Sequence, residues 1–547
     1  MNELHLLLPV AAAAVLVLSP RAWARWQLSR AKHPSLAGHG RWASRLARWL
    51  PAHRFDEASF YAADGAPPAV QAARRASLAR LSETLRERHA RSLAATGELK
   101  PLLSDLQFTS RYRVPPAFSA LVQERLPVAS VYARRQGQHL IDLDCQALLD
   151  VAGSYGVNLL GQDFYTRAIE EGARRVQALG PVLGVYHPLV LDNARRILAL
   201  AQMEELSFHM SGTEAVMQAV RLARYHSGRS HIVRFCGAYH GWWDEVTPGP
   251  GNPLPAARTY TLRDMHERSL QLLRQRRDIA CVLVNPLQAL HPNRGAPSDG
   301  ALLDSSRQAG FDRAAYTRWL QALREVCTER GIALIFDEVF LGFRLAPGGA
   351  QEYFGVRADL VTYGKTLGGG LPVGVLCGRA AWMKRFREDR PADICFARGT
   401  FNTHPYVMGS MAVFLDELAR PEVRAAIAAQ DEVHNARRER LNAALAAQGL
   451  PLRAANLGSV WTFCFDQPSR YNWLLAYFLR EQGVALSWVG SGRMIFALDF
   501  SEADFDLLQA RILAAAAAMR EGQWWWTGAP PNARLRRRAL REALLGP

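Results

Sequence analysis

Lysine is nearly missing from this chain. Of 66 Lys and Arg in 547 residues, only Lys32, Lys100, Lys365 and Lys384 are lysine. Arginine fills almost every place where a positive charge suffices. A guanidinium does not lose its proton in a protein; an amine does, and the free amine attacks carbonyls. In such a chain Lys365, in the string TYGKTLGGG at 362–370, reads as a residue kept for covalent chemistry, with a Schiff base the first candidate. A surface lysine before a glycine-rich turn is the plainer reading of that string alone. Cysteine patterning is also missing. The seven cysteines are scattered, odd in number and free of CxxC or Cys/His spacing. That excludes a disulfide framework and a zinc motif, leaves no metal site to assign, and fits a reducing compartment. Internal repeats and long low-complexity runs are absent as well.

Acid is missing from residues 21–54, which hold seven Arg and one Lys, and nearly so from 534–547, with five Arg and one Glu. These two stretches carry most of the net charge of +16. A nucleic-acid binder would more often show its charge on a folded face. Here the charge sits beside apolar segments, which points to an anionic membrane surface. Leu4 to Leu18 is apolar apart from His5, and Trp23 and Trp26 follow it with Arg21, Arg25 and Arg30. The expectation is an N-terminal hydrophobic helix anchoring the chain, with the catalytic part cytoplasmic by the positive-inside rule. A cleaved signal peptide is the rival, since Ala22-Trp-Ala24 resembles a cleavage site, but no basic segment precedes the run. Arg41 to Leu50 reads as an amphipathic interfacial helix or as an ordinary packed one. The Trp-rich string at 524–526 and the stretch 534–545 repeat the membrane theme weakly.

At this length two or more domains are expected. The boundaries read as an anchor segment at 1–30, a basic helical arm at 31–106 and the first part of a small domain with its linker at 107–195. A large domain follows at 196–420, then a C-terminal small domain at 421–520 and a Trp/Arg-rich tail at 521–547. From residue 207 short apolar runs alternate with helical periods: strands near 207–210, 232–235, 281–284, 332–336 and 360–363, and helices over 212–225 and 312–330. That alternation predicts an α/β fold with a mostly parallel sheet covered on both faces, followed by a smaller α+β part. In such sheets the chemistry gathers beyond the carboxyl ends of the strands.

Four strings lie at those ends. Ser211, Gly212 and Thr213 open a helix, where small residues and free amides suit a phosphate, or where a plain cap would do. Tyr239 and His240 follow the strand beginning at Ile232; the ring suits stacking on a flat cofactor or packing against its loop. Asp337 closes a dry strand, where a carboxylate needs a cation or a proton donor; a pyridinium nitrogen is one, and a capped helix or ion pair is the commoner alternative. Lys365 follows after another 28 residues.

In this order (SGTEA, YHG, DEV, YGK) the strings resemble the class III aminotransferases of the fold-type I pyridoxal-phosphate family, and within it glutamate-1-semialdehyde 2,1-aminomutase-like proteins. The longer strings MSGTEAVMQAVRLAR (210–224), LIFDEVFLGFR (334–344) and GTFNTHP (399–405) support this, over roughly residues 107–520. The resemblance implies a fold-type I transferase with pyridoxal 5′-phosphate held by Lys365 as a Schiff base. It implies Asp337 at the ring nitrogen, Val339 and Tyr239 on the two ring faces, and Gly212 and Thr213 at the phosphate. It further implies Gln288 near the ring hydroxyl and Thr400 reaching the phosphate from a homodimer partner. Glu338 and His240 match the motifs without an implied role. The expected function is an aminotransferase working between a small amino donor and a carbonyl acceptor at a membrane. The alternatives are intramolecular amino transfer and an inactive scaffold of the same fold. Substrate residues depart from the pattern. The early arginine that the aminomutases offer a substrate carboxylate is missing from residues 115–121, Tyr155 stands in a Ser-Trp-Gly string, and residues 247–252 match the gating loop poorly. Beside a membrane segment, these departures favour a lipophilic or carrier-bound carbonyl substrate.

Overall fold

The computed structural model describes residues 20, 22–32, 49, 53–247, 252–254, 257–291, 309–486 and 493–545. Its strands in chain order are β1 (Tyr132–Gln136), β2 (His139–Asp142), β3 (Ala147–Asp150), β4 (Glu205–His209), β5 (His231–Phe235), β6 (Thr259–Leu262) and β7 (Ile279–Val284). They continue as β8 (Ala333–Asp337), β9 (Leu360–Gly364), β10 (Gly374–Gly378), β11 (Leu452–Leu457), β12 (Val460–Phe465), β13 (Val484–Ala485) and β14 (Arg493–Ile495).

The central sheet has seven strands in the order β4-β10-β9-β8-β7-β5-β6. Pairings from β9 through β8, β7 and β5 to β6 are parallel. β10 runs antiparallel to both neighbours, so β4 points the same way as the others and the sheet is mixed. All six residues of β7 and all five of β8 are buried. Helices cover both faces, which is why these strands are continuously apolar rather than alternating. Each helix is delimited locally. Ser211 caps the helix Gly212–Ser227 and Gly228 ends it in the left-handed region. Asp312 caps Arg313–Arg330 and Gly331 ends it likewise.

A second core lies around β11, β12 and β14. It joins residues from Phe55 to Val151 with residues from Leu441 to Trp525. The early helical arm is therefore folded onto the C-terminal strands. Arg74 and Asp64, both buried, form an ion pair of 2.7 Å inside it.

The membrane reading is corrected here. Among the described residues no helix is long and apolar enough to cross a membrane. The apolar run at 4–18, on which the expected N-terminal hydrophobic helix falls, and the stretch 41–48 lie outside the described residues. The helix over 22–31 ends docked on the large core: Ala31 is buried and its carbonyl accepts from Arg263 N at 3.0 Å. At the other end Trp524 and Trp525 are buried against Tyr471 and Phe465. Helix Asn532–Leu545 is tied down by Glu542, which pairs with buried Arg470 at 2.7 Å. Trp524 and Trp525 are thus used in packing, and Glu542 of the tail pairs with both Arg470 and Arg538.

Candidate active site

The carboxyl ends of β4, β5, β7, β8 and β9 open on one edge of the sheet. Asp337 ends β8, and Lys365 follows Gly364 at the end of β9. Asp337 is buried. Its Oδ2 lies 2.8 Å from His240 Nδ1, and its Oδ1 accepts from Thr362 Oγ1 at 3.2 Å and Val339 N at 3.3 Å. Burial holds the His240 imidazole below its usual pKa against the pull of Asp337. The Nδ1 side of the ring faces the carboxylate. Its Nε2 has no hydrogen bond among the described residues.

Lys365 has a left-handed backbone (φ 48°). Its Nζ donates to the Tyr155 carbonyl at 2.6 Å and sits 4.3 Å from the Phe340 ring centroid. Burial is the main cause that lowers the amine to about 8; Asp337 opposes, while Arg493 and Arg344 assist. Much of the amine is therefore unprotonated near pH 8, as a carbonyl-attacking group requires.

Gly212 and Thr213 form the first turn of their helix. Ser211 Oγ takes the Glu214 amide at 3.3 Å, and the Glu214 carboxylate takes the Met210 amide at 3.0 Å. The amides of the first turn have no intrahelical partner, and the helix dipole favours an anion before them. A Cβ on Gly212 would meet Val339 at 2.5 Å, and one on Gly241 would meet Thr213 Oγ1 at 2.6 Å. Both glycines are needed for this close approach. Val339 thus packs on the helix start and on Gly364. Tyr239 is 60% exposed, at the mouth of the site, with its carbonyl held by Asn285 Nδ2 at 2.8 Å.

Two further expected residues lie at the edges of this cluster. Gln288 is buried, and its amide donates to the Cys236 carbonyl at 2.8 Å. Thr400 is exposed on a turn and forms no side-chain hydrogen bond among the described residues. Other residues at the site were given no role from the sequence. Tyr155, Phe340 and Arg344 line or brace it, and Arg493 approaches Phe340. Arg113, two residues before the 115–121 stretch that lacks a carboxylate arginine, places its guanidinium near Tyr155, Tyr132, Tyr477 and Arg480. Burial lowers its pKa, and it has no ion pair among the described residues. LIFDEVFLGFR held Phe340 and Arg344 in plain view; only the fold shows them beside Lys365.

Residues 121–515 match the model of the aminotransferase class-III family. The chain belongs to that family. By family it is a pyridoxal-phosphate-dependent transaminase or aminomutase. Over 302 residues it is 34% identical to a glutamate-1-semialdehyde 2,1-aminomutase of Alkaliphilus oremlandii, covering 52% of this chain and 65% of that protein. A protein of the same name from Nitratidesulfovibrio vulgaris is 35% identical, covering 61% and 77%. The chain spans about two thirds of the length of the first curated relatives it matches. Among solved structures, a β-phenylalanine aminotransferase from Variovorax paradoxus is similar with a TM-score of 0.64 and 27% identity, over 82% of this chain and 98% of that one. A glutamate-1-semialdehyde aminomutase from Pseudomonas aeruginosa shares the fold with a TM-score of 0.65 at 19% identity, over 82% and 99%. The residues at this edge fit the cofactor of that family. A lysine with a lowered pKa, a buried carboxylate backed by a histidine, and a helix start opened by a glycine stand at one sheet edge. The expected membrane-anchored location is not supported: among the described residues no helix is long and apolar enough to cross a membrane.

Proposed function

We propose that this protein is an aminotransferase that moves an amino group from a small donor to a carbonyl acceptor. The observation that carries the reading is the approach of Lys365, with its lowered pKa, to the edge where Asp337 and the helix start at Gly212 also end. Bound there, pyridoxal phosphate supplies a ring that accepts the electron pair left when a carbon–hydrogen bond is broken. The protein's own groups do the rest. Lys365 Nζ holds the cofactor and then carries the proton between the substrate carbon and the carbon that receives it. Asp337, kept in place by His240, Thr362 and the Val339 amide, keeps a proton on the ring nitrogen. Gly212 and Thr213 would offer amides to the phosphate, and Val339 and Tyr239 would pack the two ring faces. Ser211 fixes the helix start, and Gln288, whose amide is held by the Cys236 carbonyl, would stand near the ring hydroxyl. A homodimer would bring Thr400 of the second copy to the phosphate.

With the membrane location gone, a lipophilic substrate loses its support, and the arginines near Tyr155 and Phe340 favour a carboxylate-bearing one. A second reading, intramolecular amino transfer on glutamate 1-semialdehyde, is favoured by the names of the curated relatives. The deciding experiment loads the protein with pyridoxamine phosphate and offers keto acids, aldehydes and glutamate 1-semialdehyde. Aminotransfer predicts that an external donor is needed for repeated turnover. Sustained turnover of glutamate 1-semialdehyde without a donor establishes the second reading instead. An intact chain that binds no cofactor would leave only the scaffold.

A further inference from the structure

Arg344 is 2% exposed, and no carboxylate pairs with it among the described residues. Its fork is spent on neutral oxygens. Nη1 donates to the Phe496 carbonyl at 2.7 Å and to Ser459 Oγ at 3.0 Å. Nη2 donates to the Asn158 carbonyl at 2.8 Å and the Gly156 carbonyl at 3.5 Å. Burying a cation without an anion is costly, and an apolar side chain fills such a space more cheaply. The contacts suggest what the charge is for. The fork joins the loop after β8, the turn before Asn158, and the residues around β12 and β14.

That turn is strained. Gly153, Ser154, Tyr155 and Gly156 all have positive φ, at 54°, 46°, 57° and 96°. Two glycines accept this; serine and tyrosine do not adopt it readily, and such a run persists only where its surroundings dictate it. Space is tight on both sides. A Cβ on Gly153 would meet the Ile495 carbonyl at 2.7 Å, and one on Gly156 would meet the Phe340 ring at 3.0 Å. The product of the strain is the carbonyl of Tyr155, turned to Lys365 Nζ. The same loop is bound to the lysine's own turn, because the Tyr165 hydroxyl takes the Leu159 amide at 3.1 Å and bonds to Thr366 Oγ1.

We propose that Arg344 is a positioning residue for the reactive lysine: its hold on the Gly156 and Asn158 carbonyls keeps the left-handed turn in the shape that aims the Tyr155 carbonyl at Lys365 Nζ. This rests on the reading of Lys365 as the reactive amine. The charged groups that face that amine are Asp337 from β8, Arg493 from β14, which lies over the same Phe340 ring, and Arg344 itself. Arg344→Lys keeps the charge and removes the fork, so it isolates positioning from electrostatics.

The test measures reductive methylation of Lys365 against pH in the full chain freed of cofactor, read by peptide mass spectrometry. Without the Tyr155 carbonyl the ammonium form loses an acceptor. The midpoint in Arg344→Lys should therefore fall by about half a pH unit, roughly a threefold rise in free amine at fixed pH. Ser154→Val, which disfavours left-handed backbone while leaving Arg344 intact, should move the midpoint the same way and serves if Arg344→Lys does not fold. Arg437→Lys breaks another buried fork, to Glu502 and the Phe500 carbonyl, away from the turn, and should not move it. An unmoved midpoint in both test variants, or an equal shift in Arg437→Lys, overturns the proposal. Failure of the parent Lys365 to trap cofactor would instead overturn the functional reading, which this assay does not use.

Discussion

In the proposed function Lys365 supplies an amine that must lose its charge, and Asp337 supplies the partner of the ring nitrogen. For the amine, desolvation outweighs the attraction of Asp337 and brings the value to about 8. Lys365→Arg should fold, since charge and length are conserved, but should cut turnover by about 10²–10⁴-fold, the range of a lost proton-transfer group. Steady-state rates beside an unchanged melting curve check this. Asp337→Asn should keep most bound cofactor and lose about 10²–10³-fold in turnover, because an amide does not stabilise charge on a ring nitrogen as a carboxylate does. Absorbance titration with pyridoxal phosphate separates the two effects; turnover within a few-fold of the parent would make Asp337 merely structural.

Glu338 shows what the end of β8 does for its neighbours. It is fully buried, it accepts from the Ala350 amide at 2.5 Å, and burial raises it to about 8. A raised carboxyl means that the folded protein holds a proton the unfolded chain has released. Glu338 should therefore contribute stability fully below about pH 4.5, and that contribution should disappear as pH rises to about 8. Glu338→Gln cannot ionise, so its melting temperature should fall less than the parent's over that window. A parallel pair of curves would place the titration elsewhere. Such elements were legible to different degrees. β8, β9 and the helix after Ser211 announced themselves by apolar runs bounded by a cap or a glycine. β6 and β10 did not: Thr259–Leu262 is short and half polar, and Gly374–Gly378 is bounded by glycines that break the pattern. Asp337, Lys365 and Gly212 were readable because each ends a strand or starts a helix. Arg344 was not, because its partners lie more than 100 positions away in either direction.

For the whole molecule the sequence misled where composition stood in for packing. Tryptophans and arginines near both ends looked like a lipid-facing set; while Trp23, Trp26 and Trp49 are exposed, Trp524 and Trp525 are instead interior. Charge clustering records no depth, and only the second core reveals what covers them. Assembly carries its own prediction. If Thr400 serves the site of the second copy, Lys365→Arg and Thr400→Ala chains mixed and reassembled should regain one sound site per mixed pair, with parental cofactor affinity. No regain would place Thr400 in its own site or outside both. Above all these stands the identity of the reactive amine. Borohydride reduction of the protein with pyridoxal phosphate, followed by peptide mass spectrometry, tests it directly. The cofactor mass should be fixed on Lys365 alone among the four lysines; label on Lys384, Lys100 or Lys32 instead, or no label in a folded chain, would contradict the account.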